Sequence, residues 1–444
     1  MIELTIDCAD LDAIKAALLH SELECCAVLF ANQVTRSDGL SRLLIRDYEL
    51  AVEEDYAIQS AHLAELRPEF VARVAKRARR DKLSLVFVHS HLGSEAPNFS
   101  LIDDKGELQL AAFLRQRQPD SIHAALVVST GGLRARQLGT GEEIRVVSLG
   151  ERRVIHFDPT QPSEPPSVVF DRQVRAFGSS GQHILERLSI AIVGLGGTGS
   201  LVAQQLVHLG IRKFILIDPD IVEATNLNRV VGTVPADVGK PKVGVAERYI
   251  RSLTPTAEVT SIVGDIIKAK TAQALFDADL IFGCTDSHGS RAILQQVSYQ
   301  YLIPCIDIGT TITTNNGMVT GIFGRVQMLS PGNACLSCSD LLSPQEVRRD
   351  MMSAFERKSD PYIQGAREPA PAVISLNGTV VSLAVSMLLG YVTEIPVRGR
   401  YLIYNAMKST LRSVYSEAKS NCYICSRKGA LALGNSQRLF ARQD

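Results

Sequence analysis

Three sets of residues in this sequence have the types and spacing for chemistry. The first lies in FVHSHLGSEAPNFSLIDD, residues 87–104. His89 and His91 stand one residue apart at the end of an apolar run, and strand side chains alternate, so both imidazoles face one side. With Asp103 they offer three ligands to a zinc ion, leaving a fourth position for water. A carboxylate is needed to take that water's proton, and Glu24 in LECCAVLFA is the candidate, with Glu22 a weaker one. Ser100 and Asp103 read equally as a helix N-cap with an acid in the first turn, an arrangement that needs no metal and is compatible with one.

The second set begins at AIVGLGGTGS, where Gly194, Gly196, Gly197 and Gly199 separate an apolar strand from a helix. Such glycines let the backbone turn sharply and approach a phosphate, while the helix N-terminus supplies free N–H groups. Asp218 closes the next strand, where an acid can accept hydrogen bonds from ribose hydroxyls. These features alone permit a NAD-dependent dehydrogenase, or a tight turn that binds nothing. The residues that follow narrow the choice: Asn226, Asn228 and Arg229 in DPDIVEATNLNRVVG, Lys242 in GKPKVG, and Asp286 and Arg291 in CTDSHGSR. Arginine and lysine suit a triphosphate and one well-placed carboxylate suits Mg2+. Hydride transfer needs no such collection, although any one of these charges taken singly is an ordinary surface group.

The third set is CLSC, with Cys335 and Cys338, and CYIC, with Cys422 and Cys425. Either pair alone could be a redox motif; two pairs together point to a structural zinc that ties distant segments.

The elements that must hold these residues can be read from pattern. LSLVFVH (83–89) is a buried strand and LQLAAFLRQ (108–116) a helix, with HAALVVS and EEIRVVSL as further strands, so the N-terminal part is a mixed α/β domain. LSIAIVG, SLVAQQLVHLG and KFILIDPD read as strand, helix, strand, which predicts a Rossmann-like parallel sheet continued by LIFGCTDS and IPCIDIGT. Between them FDPTQPSEPPSVVF carries four prolines and predicts a linker. The expected organisation is a first domain over 1–155, a linker over 156–170 and a second domain over 171–444.

At 444 residues the chain has room for two or three cores. Its 47 basic and 47 acidic residues balance, which gives no reason to expect nucleic acid or an anionic membrane as the main partner. VISLNGTVVSLAVSMLLGYV (373–392) is long enough to span a bilayer, yet its serines, threonine and asparagine favour a buried core helix. The N-terminus shows no secretory pattern, and nine cysteines in such a chain argue against a disulfide framework, so a cytoplasmic setting is expected.

From about Arg172 to Cys425 the sequence resembles the ThiF/MoeB-type adenylyltransferases, relatives of the ubiquitin-activating enzymes. RQVR followed by GQHIL corresponds to the family's opening Arg-x-x-Arg segment and puts its second arginine at Arg175. GLGGTGS corresponds to the ATP loop, DPDIV-EATNLNR to the ribose and phosphate segment, and KPK to the family lysine at Lys242. CTDS puts the magnesium-binding aspartate at Asp286, and CLSC with CYIC matches the structural zinc clamp. The resemblance implies ATP-dependent adenylation of the C-terminal carboxylate of a β-grasp protein, either ubiquitin-like or a sulfur carrier feeding cofactor biosynthesis. Lys242, Arg229 and Mg2+ at Asp286 would offset the charge that develops. It also implies a homodimer, with Arg175 reaching the partner subunit's site; a carboxylate-paired surface arginine is the plainer alternative.

Family members that pass their cargo on as a thioester carry a cysteine after the first zinc pair, but Ser339 to Ser420 contains none. Cys284 and Cys305 sit in predicted strands, where cysteines usually fill core. Adenylation without a thioester is therefore expected, with direct handover or with a sulfurtransferase or conjugating enzyme as a further partner.

Over about the first 150 residues, Glu24, His89-x-His91 and Ser100-x-x-Asp103 resemble the JAMM/MPN metalloproteases. The resemblance implies Glu24 as general base and Ser100 as a stabiliser of the tetrahedral oxyanion. One extra residue between His91 and Ser100, and Leu92 where proline often stands, leave two readings open: an active peptidase, or a metal-free domain that docks the partner.

Overall fold

The computed structural model describes residues 1–93, 95–161, 164–353, 356 and 371–443. The chain divides into two compact units, Met1–Gln161 with Ala430–Arg438, and Pro162–Gly429 with Leu439–Asp444. The division at Gln161 falls within the proline-rich stretch, of which Pro162 and Ser163 lie outside the described residues. Residues 354–355 and 357–370 of the cysteine-free segment lie outside them as well.

The C-terminal end departs from the expected second domain running to residue 444. Residues 430–438 belong to the first unit because its side chains satisfy their backbone. Asn32 Nδ2 donates to the Ala432 carbonyl at 2.8 Å, Arg46 donates to the Leu431 carbonyl, and Ser436 Oγ donates to Asn32 Oδ1.

The first unit contains β1 (Ile2–Asp7), α1 (Cys8–Leu19), β2 (Cys26–Thr35), β3 (Ser41–Leu50), β4 (Tyr56–Gln59), β5 (Ala64–Leu66), α2 (Pro68–Asp81), β6 (Ser84–Ser90), α3 (Leu101–Arg117), β7 (Ala124–Ser129), β8 (Gly132–Gln137), β9 (Glu143–Leu149) and β10 (Arg153–Phe157). The main sheet has the order β1-β3-β2-β6-β7-β8-β9-β10, and β9 also pairs with β1, so the sheet curls back on itself. β4 and β5 form a separate ribbon.

β6 explains the placement of the histidines. Its run Leu85-Val86-Phe87-Val88 is buried throughout because both faces of the sheet are covered. Val86 and Val88 pack with Leu11, Ile14 and Leu18 of α1, while Leu85 and Phe87 pack with Phe70 and Val74 of α2 and Leu114 of α3. The two-residue period puts His89 on the face that α3 covers.

The second unit contains α4 (Asp171–Arg187), β11 (Ser189–Val193), α5 (Gly197–His208), β12 (Lys213–Ile217), α6 (Lys242–Leu253), β13 (Glu258–Ile262), α7 (Ala269–Gln273), β14 (Leu280–Gly283), α8 (His288–Gln300), β15 (Cys305–Asn315), β16 (Met318–Leu329), α9 (Pro344–Met351), α10 (Ile374–Val392), β17 (Tyr401–Asn405) and β18 (Thr410–Ser413). Its sheet has the order β13-β12-β11-β14-β15-β16-β17-β18, parallel from β13 to β15 and antiparallel beyond. SIAIV of β11 is buried at every position, as a central parallel strand must be.

β11 lies between β12 and β14, and there the strand order reverses. A crevice opens at the carboxyl ends of the strands at such a point. α10 has a mean hydropathy of 1.5 over its most apolar window and is long enough to cross a membrane by length and composition. It buries Leu376, Val380, Val381, Ala384, Leu388 and Tyr391 in the second unit's core, packed on α5, β15 and β16. Each fully buried valine or leucine there contributes about 1.5–3 kcal/mol.

Candidate functional site

At the switch point, Gly194 leaves β11 at φ +89°, a left-handed turn that β-carbons resist, and a Cβ there would meet the Cys284 carbonyl at 2.6 Å. Gly199, in the first turn of α5, lies so close to the loop that a Cβ would sit 1.8 Å from the Gly194 carbonyl. A side chain at either position would push the helix away from the strand end. A Cβ on Gly197 would meet Asn377 Nδ2 at 2.3 Å and the Arg229 Cδ at 3.4 Å, so both side chains reach the loop. Gly196 has open space at its Cβ position and is the N-cap of α5.

Asp218 follows β12 and is 4% exposed. Its Oδ2 accepts from the Leu195 N–H at 2.5 Å and its Oδ1 from the Asp220 N–H at 2.8 Å. Burial pushes its carboxyl up, against those hydrogen bonds and the charge of Lys242. The acid expected at the ribose thus also holds the glycine loop in place. Lys242 opens α6 after Pro241, and its Nζ donates to Asp220 Oδ2 at 2.7 Å.

Asn226 is buried and its side chain accepts from the Glu223 N–H, which shapes the turn before Arg229. Arg229 donates to the Thr225 carbonyl at 2.5 Å and to exposed Asn228 at 3.3 Å. Asp286 is exposed just beyond β14, beside Ser287, the N-cap of α8. Because Val193 pairs with Gly283, the Asp286 loop and the glycine loop leave neighbouring strands at the same level.

Arg175 stands apart from this group. It is exposed on α4 and pairs with Asp171 at 2.9 Å, which is the plainer of its two expected roles within one chain.

Sequence reasoning missed two features here. Asp307 is 1% exposed and lies between Arg291, at 3.3 Å, and Arg325. Asn377, 3% exposed, accepts from Thr310 Oγ1 at 3.3 Å while its amide nitrogen points at Gly197. A signal for Asn377 existed in the sequence, since an amide inside an apolar helix calls for a buried partner.

Cys335, Cys338, Cys422 and Cys425 are all buried, and their sulfurs lie within 4.8 Å of one another. Cys335–Cys422 and Cys338–Cys425 are each separated by 3.6 Å. Four sulfurs on a tetrahedral zinc stand about 3.8 Å apart, so the set fits that ion. The N–H groups of Cys338, Lys419 and Ile424 donate to these sulfurs at 3.4 Å, which favours thiolates.

In the first unit, His89 Nε2 lies 3.1 Å from His91 Nε2 and 3.3 Å from Asp103 Oδ1, and His91 Nε2 lies 3.7 Å from Asp103 Oδ2. Three donor atoms converging at that spacing fit a zinc ion. Ser100 caps α3 by accepting from the Asp103 N–H, and Asp103 Oδ2 accepts from the Ser100 N–H at 2.6 Å. The cap therefore orients the proposed ligand. Burial pushes the Asp103 carboxyl up, but the bond and charge of His89 and the Ser100 N–H hold it well below the usual carboxylate range. His91 is pulled down by burial and by His89, against Asp103.

Glu24 is 8% exposed and burial raises its carboxyl, with His89 opposing and Asp103 adding. It lines a cavity of about 830 Å³ together with His62, His89, His91, Ser100 and Asp103. Glu22 is exposed and does not line that cavity.

Comparison with known proteins bears on the second unit. The sequence is 26% identical over 265 residues to the molybdopterin-synthase adenylyltransferase of Escherichia coli (strain K12), covering 59% of this chain and 98% of that protein. It is 24% identical over 252 residues to the SAMP-activating enzyme E1 of Haloferax volcanii, covering 57% and 85%. It is 26% identical over 255 residues to the sulfur carrier protein ThiS adenylyltransferase of Escherichia coli (strain K12), covering 56% and 90%. The ThiF family model matches residues 170–424, more than half of the sequence, and the chain belongs to the ThiF family.

Proposed function

We propose that the second unit adenylates the C-terminal carboxylate of a ubiquitin-like or sulfur-carrier β-grasp protein at the expense of ATP. The observation that carries this reading is the convergence at the switch point of the glycine loop, Asp218, Arg229 and the Asp286 loop. The names of the relatives support the same class of reaction.

In the reaction a carboxylate oxygen of the partner attacks the α-phosphorus of ATP. The bond to the bridging oxygen breaks, pyrophosphate leaves with its electron pair, and the acyl-adenylate remains. The loop N–H groups and the α5 N-terminus receive phosphate, and Asp218 has lone pairs left for ribose hydroxyls. Lys242 would turn from Asp220 to the phosphates, and Arg229 would offset charge on the same side. Asp286 would hold Mg2+, which when bound neutralises phosphate charge. Arg175 would act across a homodimer.

The four cysteines would hold a structural zinc. For the first unit we propose a JAMM-type zinc peptidase that acts on the same tail, with His89, His91 and Asp103 as ligands. The metal when bound would polarise the scissile carbonyl and acidify water. Glu24, raised by burial, is suited to take that water's proton, and Ser100 faces the same cavity.

The test incubates the purified protein with Mg-ATP and candidate β-grasp partners, native or extended at the tail, and reads their masses. A gain of an adenylyl group on the native partner supports the first activity. Loss of the extension, abolished by Glu24→Ala, supports the second. Zinc retention at the histidines with no cleavage of any extended partner would replace the peptidase by a docking domain.

A further inference from the structure

Arg136 is a β8 residue that no motif singles out. Its side chain is only 16% exposed, although it carries a permanent charge. Nε donates to Glu107 Oε2 at 2.9 Å, and Nη2 lies 2.8 Å from Asp104 Oδ1. One guanidinium therefore hydrogen-bonds Glu107 and ion-pairs with Asp104, two carboxylates of α3 three residues apart on one side of the helix. Its Cζ also lies 3.9 Å over the Phe99 ring, and Phe99 meets His89 edge to face, with centroids 6.2 Å apart.

These contacts surround the histidine–aspartate set. Asp104 follows Asp103 directly, Phe99 precedes the Ser100 cap, and Phe99 touches the ring of His89. Glu107 is one turn beyond Asp103 on the same helix face and lines the same cavity. Its other oxygen, Oε1, is buried without a hydrogen-bond partner.

We infer that Arg136 is a positioning residue of the metal site: it fixes the first turns of α3 so that Asp103 meets His89 and His91, and it holds Glu107 away from the ligand atoms. This rests on the zinc reading of that site. Removal of Arg136 leaves two carboxylates without their partner beside three ligand atoms. Glu107 is then free to rotate toward the histidines as a competing acceptor, and the α3 start loses its anchor to β8. Partners that orient ligands from outside typically change metal affinity about 10- to 100-fold.

The experiment measures zinc content and zinc affinity by chelator competition on the full chain, with hydrogen exchange reporting that the first unit stays folded. Wild type is expected to hold two zinc ions and H89A/H91A one. R136Q is expected to bind the histidine-site zinc about 10- to 100-fold more weakly while keeping the cysteine-site ion. R136K, which keeps the charge without the two-carboxylate grip, is expected to fall between. Adding E107Q to R136Q is expected to restore most of the affinity, a recovery that mere loosening of the fold would not show. Equal affinity in wild type, R136K and R136Q, or no recovery with E107Q, overturns the inference while leaving the zinc reading standing. A wild type that holds only the cysteine-site ion overturns both.

Discussion

Asp218 accepts the Leu195 N–H at 2.5 Å, so the acid closing β12 holds the glycine loop that leaves β11. The shape of the loop therefore depends on a carboxylate from a neighbouring strand. Replacing Asp218 by alanine leaves the buried Leu195 N–H without its acceptor, whereas the N–H of exposed Asp220 can turn to water. We expect Asp218→Ala to destabilise the second unit by about 1–3 kcal/mol for the N–H so orphaned, and to weaken ATP binding. Hydrogen exchange on the loop and nucleotide titration measure the two effects, and unchanged protection of Leu195 would contradict the first.

Lys242 and Asp220 form a pair whose cation the phosphates would take over. Lys242→Ala is expected to lower the adenylation rate about 100- to 1000-fold, the range for removing one preorganised donor to developing charge. Asp220→Asn is expected to change it less than about 10-fold, because the lysine remains. Steady-state kinetics on both variants separate the roles; equal losses would show that Asp220 itself acts on the nucleotide.

We expect neither Cys284 nor Cys305, the second unit's cysteines outside the four-sulfur set, to form a thioester. Cys284 is part-exposed as a residue, but its thiol lies inside beside Thr198 and burial pushes it well up; Cys305 is buried and shifted the same way. We expect Cys284→Ser to keep its adenylation activity within about 3-fold of wild type, the cysteine serving as core filler. Non-reducing gels after reaction with a β-grasp partner should show no reducible adduct, and a band removed by thiols would contradict this.

His123 gives the first unit an acid-sensitive point. Its Nδ1 accepts from the Leu85 N–H at 3.0 Å, Nε2 is buried without a partner, and burial pushes the imidazole down to about 4. A histidine depressed on folding contributes fully above its unfolded value near 6.5. That contribution is lost as pH falls from about 6.5 to 4, by up to roughly 3 kcal/mol. Hydrogen exchange of β6 amides across that range should show the loss in wild type. The slope should be flatter by up to one proton in His123→Gln, and identical slopes would refute the assignment.

What could be read in the sequence followed from local pattern. The two-residue period of β6 aimed His89 toward α3, and the Ser100 cap brought Asp103 with it. The glycine loop and its order before Asp218, Arg229 and Lys242 likewise depend on short stretches. Features that need distant strands side by side were not legible. Asp307 between Arg291 and Arg325, Asn377 against Gly197, and Arg136 of β8 against α3 each join segments that only the tertiary fold brings together. Residues 430–438 joined the first unit for a similar reason, through Asn32 and Arg46, whose polarity gave no hint of a distant backbone partner.

The measurement that bears most directly on the account is ATP–pyrophosphate exchange by the full chain with and without a β-grasp partner. The account predicts exchange that requires the partner's free C-terminal carboxylate, is lost in Asp286→Ala and persists in Glu24→Ala. Exchange that is absent with every partner offered, or that is retained in Asp286→Ala, would contradict it.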